Sequence, residues 1–184
     1  MSKSLSIKNI KEDIRSKIYT QNYSHKTNIE GVKIIPLTNH PGEEGDFSEI
    51  VKIDKDNQVV GLPNFTVVQI NRTKLNPKSI KAWHLHFSQD EVWYVIPSCE
   101  LMVGLWDVRE ESPTKNATMR IVLGGGNSQL LFIPKGVAHG SSNFSGKETE
   151  LFYFTNQRFD IKNPDEHRIP WDALGDRFWS PKKD

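Results

Sequence analysis

His84 and His86 stand one residue apart in "AWHLHFSQDEVWYV", residues 82–95, and Glu91 follows five positions after His86. On a β-strand, side chains two positions apart share a face, about 6.6–7 Å apart along the backbone. This spacing predicts that His84 and His86 point one way and Trp83, Leu85 and Phe87 the other. Two imidazoles so placed can close on a single ion through bonds of about 2 Å, and Glu91, opening the next strand after "SQD", can add a carboxylate. A third imidazole, His139, lies in "IPKGVAHGSSN", where Pro134 and Gly136 shape a turn after the strand "LLFI". Three histidines and one carboxylate suit Zn, Fe, Mn, Ni or Co, and the ligand types do not choose among them. The same imidazoles also suit acid–base work, since they titrate near neutral pH. Alone, a His-x-His pair is more often a satisfied polar pair than a site; the distant His139 segment shifts that balance.

The elements that must carry these side chains are short strands. Runs of five to eight residues rich in Val, Ile, Phe, Trp and Tyr recur between Pro, Gly, Asn and Asp from Gly31 onward. They are "VKIIPL", "FSEIVKI", "FTVVQINRT", "SIKAWHLHF", "EVWYVI", "LMVGLWDV", "TMRIVL", "QLLFIP" and "ELFYFTN". "GGGNSQ" reads as a turn, because three glycines weaken strand and helix alike. This pattern predicts an all-β sandwich or barrel. Ahead of it, Ile7, Ile10, Ile14 and Ile18 recur at helical spacing, which predicts an amphipathic helix over 4–19 with Ser4 or Ser6 as cap. The polar "TQNYSHKTN" then links it onward, giving an appendage over 1–28 and one domain over 29–184. Near the end, "IPWDALGDRFW" is expected to pack Trp171 and Trp179 back against the barrel.

Composition narrows the function classes. With 24 basic and 23 acidic residues the formal charge is +1, so no field draws the chain to nucleic acid or membrane. Apolar runs such as "QLLFIP" are far too short to span a bilayer, and the first residues lack a signal peptide's apolar core. A cytoplasmic protein is the expectation. Cys99 is the lone cysteine, so no intrachain disulfide forms, and no motif places a histidine beside it as a nucleophile's partner. "GGGN" lacks the Lys-Ser/Thr of a phosphate loop. His25, His40 and His167 lie in polar segments and read as solvated, while Trp93, Tyr94 and Trp106 read as core.

His84, His86 and Glu91, followed by Pro134, Gly136, His139 and Asn143, resemble the two motifs of the cupin superfamily. That resemblance implies a jelly-roll barrel, and in metal-binding members three His and one Glu that hold a divalent transition metal. Over about residues 30 to 180 the order of segments also resembles the dTDP-4-dehydrorhamnose 3,5-epimerase family. "GVKIIPLTNHPGEEGDFSEI", "VVQINRTKLNPKSIKAWHLHF", "DVREESPT" with "IPKGVAHG", "ELFYFTN" and "IPWDALGDRFW" carry it. It implies a homodimer that moves protons next to the ketone of a sugar nucleotide, with no metal. By position it implies His86 as base, His139 as the second histidine and Tyr153 as acid. Gln69, Asn71, Trp83 and Arg109 fall at substrate-binding positions.

The departures are concentrated at the site. Trp83 and Gly45 stand where the family carries arginines for the diphosphate, and Val103 where it carries an aspartate. The tail aspartate that orients the base is expected to be absent. Glu91 stands where the family has a lysine. A carboxylate beside a developing enolate raises the barrier that a lysine lowers. A divalent cation held by His84, His86, Glu91 and His139 would restore the lost positive charge and polarise a carbonyl oxygen. If His86 binds a metal, it is not also a free base. Three readings follow: a carbohydrate epimerase or isomerase acting on a keto sugar or its nucleotide; a metal-dependent cupin of another class, dioxygenase-like; and a non-catalytic binder of a small polar ligand.

Overall fold

The computed structural model describes residues 4–20 and 29–182. In chain order the strands are β1 (Lys33–Pro36), β2 (Asn39–Gly42), β3 (Gly45–Ser48), β4 (Gln69–Leu75), β5 (Ile80–Leu85) and β6 (Glu91–Tyr94). They continue with β7 (Glu100–Asp107), β8 (Thr118–Gly124), β9 (Gln129–Ile133), β10 (Val137–Ser142), β11 (Thr149–Thr155) and β12 (His167–Arg168). One sheet has the order β1-β9-β6-β11-β4, the second β12-β5-β10-β7-β8, and β2 and β3 form a separate hairpin. Every pairing is antiparallel. The two sheets face each other as a cupin-type jelly roll. No described helix is long and apolar enough to cross a membrane.

Side-chain alternation decides what each face does. On β6, Trp93 points between the sheets, into a core with Val103, Leu105, Leu131 and Leu151. Val92 and Tyr94 point outward and are covered by Leu62 and Phe65 from the loop before β4. On β5, Trp83 and Leu85 point outward beneath Trp179 and Phe178. Gly104 makes that cover fit: a Cβ there would lie 2.6 Å from the Phe178 ring and 2.8 Å from Trp179. Each of these large apolar side chains contributes about 1.5–3 kcal/mol by leaving water. At the turn after β8, Gly124, Gly125 and Gly126 all take positive φ, and a Cβ on Gly124 would sit 2.1 Å from the Cys99 carbonyl oxygen.

Several expectations are corrected. The helix over 4–19 is instead a 3-10 turn at Ile7–Asn9 and one α-helical turn, α1 (Glu12–Arg15). Ile7, Ile14 and Ile18 are 58%, 41% and 48% exposed, so the described residues leave these three uncovered and one turn does not propagate. Most of the connector, with His25, lies outside the described residues. In "FSEIVKI" the strand β3 ends at Ser48, and beyond it Ile53 makes only an isolated bridge to Val59. Residues 137–142, which were not among the expected strands, form β10 at the middle of the second sheet. Trp179 packs inward as expected, but Trp171 is 44% exposed and lends only its carbonyl, which accepts the Trp179 indole N–H at 2.8 Å.

Candidate active site

β10 lies against β5 with His139 opposite His84. The turn that introduces β10 is fastened to the first histidine segment: the Gly136 N–H donates to the His86 carbonyl at 2.8 Å. Gly136 has φ +78°, and a Cβ there would collide with Arg109 at 2.6 Å, so glycine is required on both counts. Asn143 is buried and its amide donates to the carbonyls of Leu75, Asn76 and Lys147. It closes the barrel end and does not reach the site.

At the end of the barrel Glu91 enters between two imidazoles. Its Oε1 lies 3.3 Å from His86 Nε2 and its Oε2 3.4 Å from His139 Nε2, all three residues being buried. Donor atoms of these three lie within 4.8 Å of one another. Glu91 also accepts the Gln89 side-chain N–H at 2.7 Å and the Trp93 indole N–H. Burial alone would push its carboxyl up, but His139 and then His86 hold it well below the usual carboxylate range. Each imidazole spends Nδ1 on a backbone carbonyl, His139 on Val137 at 3.0 Å and His86 on Asp165. Both Nε2 atoms therefore face the carboxylate, and that of His139 is buried without a hydrogen-bond partner. Burial opposes the proton on His86, yet Glu91, the Asp165 carbonyl and Glu166 outweigh it and raise its pKa above the ordinary value.

Residues 165–168 form a strap over this end. The Asp165 carboxylate accepts the backbone N–H groups of Phe87, Ser88 and Gln89 at 2.9, 2.7 and 3.0 Å. Burial pushes its carboxyl up and those three donors, helped by His86, pull it lower overall. Glu166 accepts from His84 Nδ1 at 2.7 Å, Arg168 donates to His84 Nε2 at 2.7 Å, and Arg168 and Glu166 pair at 3.0 Å. Burial, mainly, pushes the His84 imidazole down. Both ring nitrogens of His84 are thus engaged away from Glu91, and His84 is not among the three clustered donors. Of the four residues expected as a metal set, the structure brings His86, Glu91 and His139 together and leaves His84 apart.

Two cavities meet at Glu166. One, of about 330 Å³, is lined by His84, Glu91, Trp93, His139, Tyr153 and Glu166, with Lys81, Thr73 and Arg168 at its edge. The other, of about 280 Å³, is lined by His86, Ser88, Gln89 and residues of the segment 157–166. Tyr153 faces the first; burial, with Glu91 and Glu166 adding, pushes its phenol above the ordinary range. Asn71 sits opposite Tyr153 and Gln69 opposite Thr155, and the two amides bond each other at 2.7 Å. Trp83 lines neither cavity: it is fully buried on the opposite face of β5, against Trp106, Phe178 and Trp179. Arg109 is likewise spent elsewhere, paired with Asp107 at 2.8 Å and bonded to the Glu30 carbonyl, and lines neither cavity. His40 and His167 are exposed, as expected.

The model of the dTDP-4-dehydrorhamnose 3,5-epimerase family matches residues 26–175. The chain belongs to that family. Among relatives, the spore coat polysaccharide biosynthesis protein SpsL of Bacillus subtilis is 40% identical over 144 residues, 78% of this chain and 91% of that protein. The probable low-salt glycan biosynthesis epimerase Agl13 of Haloferax volcanii is 28% identical over 145 residues, covering 79% and 90%. Among solved structures, a dTDP sugar isomerase from Desulfovibrio desulfuricans G20 superposes with a TM-score of 0.69 at 25% identity, over 82% of this chain and 91% of that one.

Glu91, expected from the resemblance to stand in place of a lysine, lies in the buried cluster. Gly45 and Trp83, expected in place of arginines, lie in the exposed β2–β3 hairpin and in the outer core beneath Trp179. Asp165, Glu166 and Arg168, which orient His84 at the end of β5 and His86 just beyond it, were not among the expected site residues. Their only sequence signal is the acidic pair in "NPDEHRIP", between two prolines.

Proposed function

We propose that this protein is a sugar-nucleotide epimerase that inverts a carbon next to a ketone by removing a proton and returning it from the other side. The observation that carries this reading is that His86 and Tyr153 each line a cavity of their own, and that the two cavities share Glu166. Inversion needs a base and an acid on opposite faces of one ring. Tyr153 is the acid: its raised pKa keeps the phenol protonated at neutral pH. His86 is the base, its tautomer held by the Asp165 carbonyl, which leaves Nε2 to take the proton. His139 lies against the ring on the Tyr153 side; Gln69 and Asn71 line neither cavity, and the Gln69 amide is spent on Asn71 and on the Phe159 N–H. A ring that touches both cavities displaces the Glu166 side chain, which is 35% exposed. The test is incubation of a 4-keto nucleotide sugar in deuterated water. Deuterium entering beside the ketone, and lost in His86→Ala, supports the reading; no exchange with any such substrate overturns it.

A second reading, metal-assisted chemistry of an epimerase or another cupin class, is favoured by one observation. His86 and His139 each set Nδ1 against a backbone carbonyl and turn Nε2 toward the buried Glu91 carboxylate, so that loss of their Nε2 protons to an incoming cation would present two lone pairs and a carboxylate to it. Three buried donors of this kind suit Zn, Fe, Mn, Ni or Co at bonds of about 2.0–2.2 Å. Gln89 and Trp93 would orient Glu91 toward the ion, as outer-shell donors do. A metal there would supply Lewis-acid polarisation of the ketone oxygen. Elemental analysis of tag-free protein beside Glu91→Gln decides: metal lost in the variant supports this reading, and metal-free protein that refuses added metal excludes it.

The same reading includes an appendage over 1–28 ahead of the domain over 29–184, supported by a family match that starts at residue 26. It also includes a homodimer, for which Val68 and Ile70, 40% and 62% exposed at edge strand β4, offer apolar surface, and a cytoplasmic site of action.

A further inference from the structure

Resting on the epimerase reading, we infer that Lys81 holds the phosphate ester at the far end of the substrate's sugar ring, replacing the arginines missing at Gly45 and Trp83. Strand parity alone would turn Lys81 away from the His84 face, since the two are three residues apart. The pairing of β5 with β10 prevents this. His139 lies opposite His84 and Ser141 opposite Lys81, so the two residues 82 and 83 oppose Gly140 alone. This is a β-bulge, which re-aims the side chains beyond it. Gly140 admits it, because a Cβ there would lie 2.4 Å from that of Ala82. Beyond the bulge Lys81 lines the cavity that contains His139 and Tyr153.

Charge and distance then select Lys81 over the other cation of that cavity. Arg168 is spent on Glu166 and His84. Lys81 donates to the Thr73 hydroxyl at 2.6 Å and has no carboxylate partner among the described residues. Thr73 steadies the ammonium and leaves two N–H donors for an anion. Along β10, Ser141 is two residues from His139, about 6.6–7 Å. That step matches a pyranose ring with its ketone at His139 and Tyr153 and its phosphate-bearing oxygen at Lys81. A phosphate ester and a nucleoside diphosphate present the same oxyanion, so the probes must separate them.

Calorimetric titration of the full chain with dTDP and with inorganic pyrophosphate tests this. Hydrogen bonds to charged groups predict that Lys81→Met weakens both by about 10- to 100-fold, while Lys81→Arg keeps most of the affinity. Lys74→Met, whose lysine pairs with Glu148 on the outer face, leaves it unchanged. Equal losses for the two probes assign Lys81 to the phosphate itself; a loss for dTDP with pyrophosphate binding unchanged overturns that assignment. Binding of both probes by Lys81→Met as tightly as by wild type also overturns it, as does wild-type protein that binds neither. Lys81-dependent dTDP binding without deuterium exchange upholds the subsite and sinks the epimerase reading instead.

Discussion

Replacing Glu91 with glutamine keeps the shape of the side chain and removes the charge between His86 and His139. Removing one partner of a buried ion pair costs about 3–5 kcal/mol, because the remaining charge is left uncompensated. His86 can escape part of that cost by giving up its proton, so the loss depends on pH. In the wild type the folded pKa of His86 is raised. Its contribution to stability is fully present below the unfolded value of about 6.5 and is lost as pH rises through the folded value. In Glu91→Gln, burial is opposed only by the Asp165 carbonyl and by Glu166, 4.0 Å from Nε2. The pKa then falls, and each unit between the two proteins is worth about 1.4 kcal/mol. Glu91 itself adds no slope here: its pKa is depressed, so its own contribution is lost only as pH falls below the carboxylate range. Urea unfolding at pH 5.5 and 8.5, with chelator present, should show a destabilisation of about 3–5 kcal/mol at the lower pH. At the higher pH it should be smaller. A penalty that is equal at both pH values, or larger at pH 8.5, refutes the coupling between this carboxylate and His86.

Three further outcomes are expected. Tyr153→Phe should lower kcat by about 10²- to 10⁴-fold with KM nearly unchanged, while deuterium exchange at the substrate carbon persists, because only the acid is lost; a rise in KM alone would make Tyr153 a binding residue. Trp179→Ala should cost about 3–5 kcal/mol in urea and red-shift the indole emission as water reaches Trp83; an unchanged midpoint would mean that the final segment is not part of the outer core. Asp165→Asn should speed hydrogen exchange at the Phe87, Ser88 and Gln89 amides, whose acceptor it weakens; unaltered exchange there would show that the strap is held by other contacts.

The sequence carried the barrel better than it carried the site's outer parts. Strands such as β6 and β11 are legible because Val92 and Tyr94, or Phe152 and Phe154, need cover on one face while Trp93 or Tyr153 needs it on the other. β10 is not, because "VAHGSS" is built of small residues and is buried on both faces, so no alternation marks it. The stripe of Ile7, Ile14 and Ile18 has helical spacing, yet the described residues leave it uncovered. Glu91 and His139 are legible from residue type and spacing, and His84 is not excluded by either. Only the strap, which takes both of its ring nitrogens, removes it from the cluster. Lys81 is hidden for a related reason: its direction depends on a pairing step between β5 and β10 that neither strand encodes alone.

The strap has a consequence for the order in which the protein acquires its site during synthesis. Domains fold as the chain emerges, N-terminal part first. β5 emerges early, yet His84 and His86 receive their Nδ1 partners only from Asp165 and Glu166, and Trp83 on the other face waits for Trp179. A ribosome paused before residue 165 would therefore display a barrel with both faces of β5 unfinished. The imidazoles become oriented and the outer core becomes dry in the same late interval, so a nascent chain has no competent site until its last segment docks.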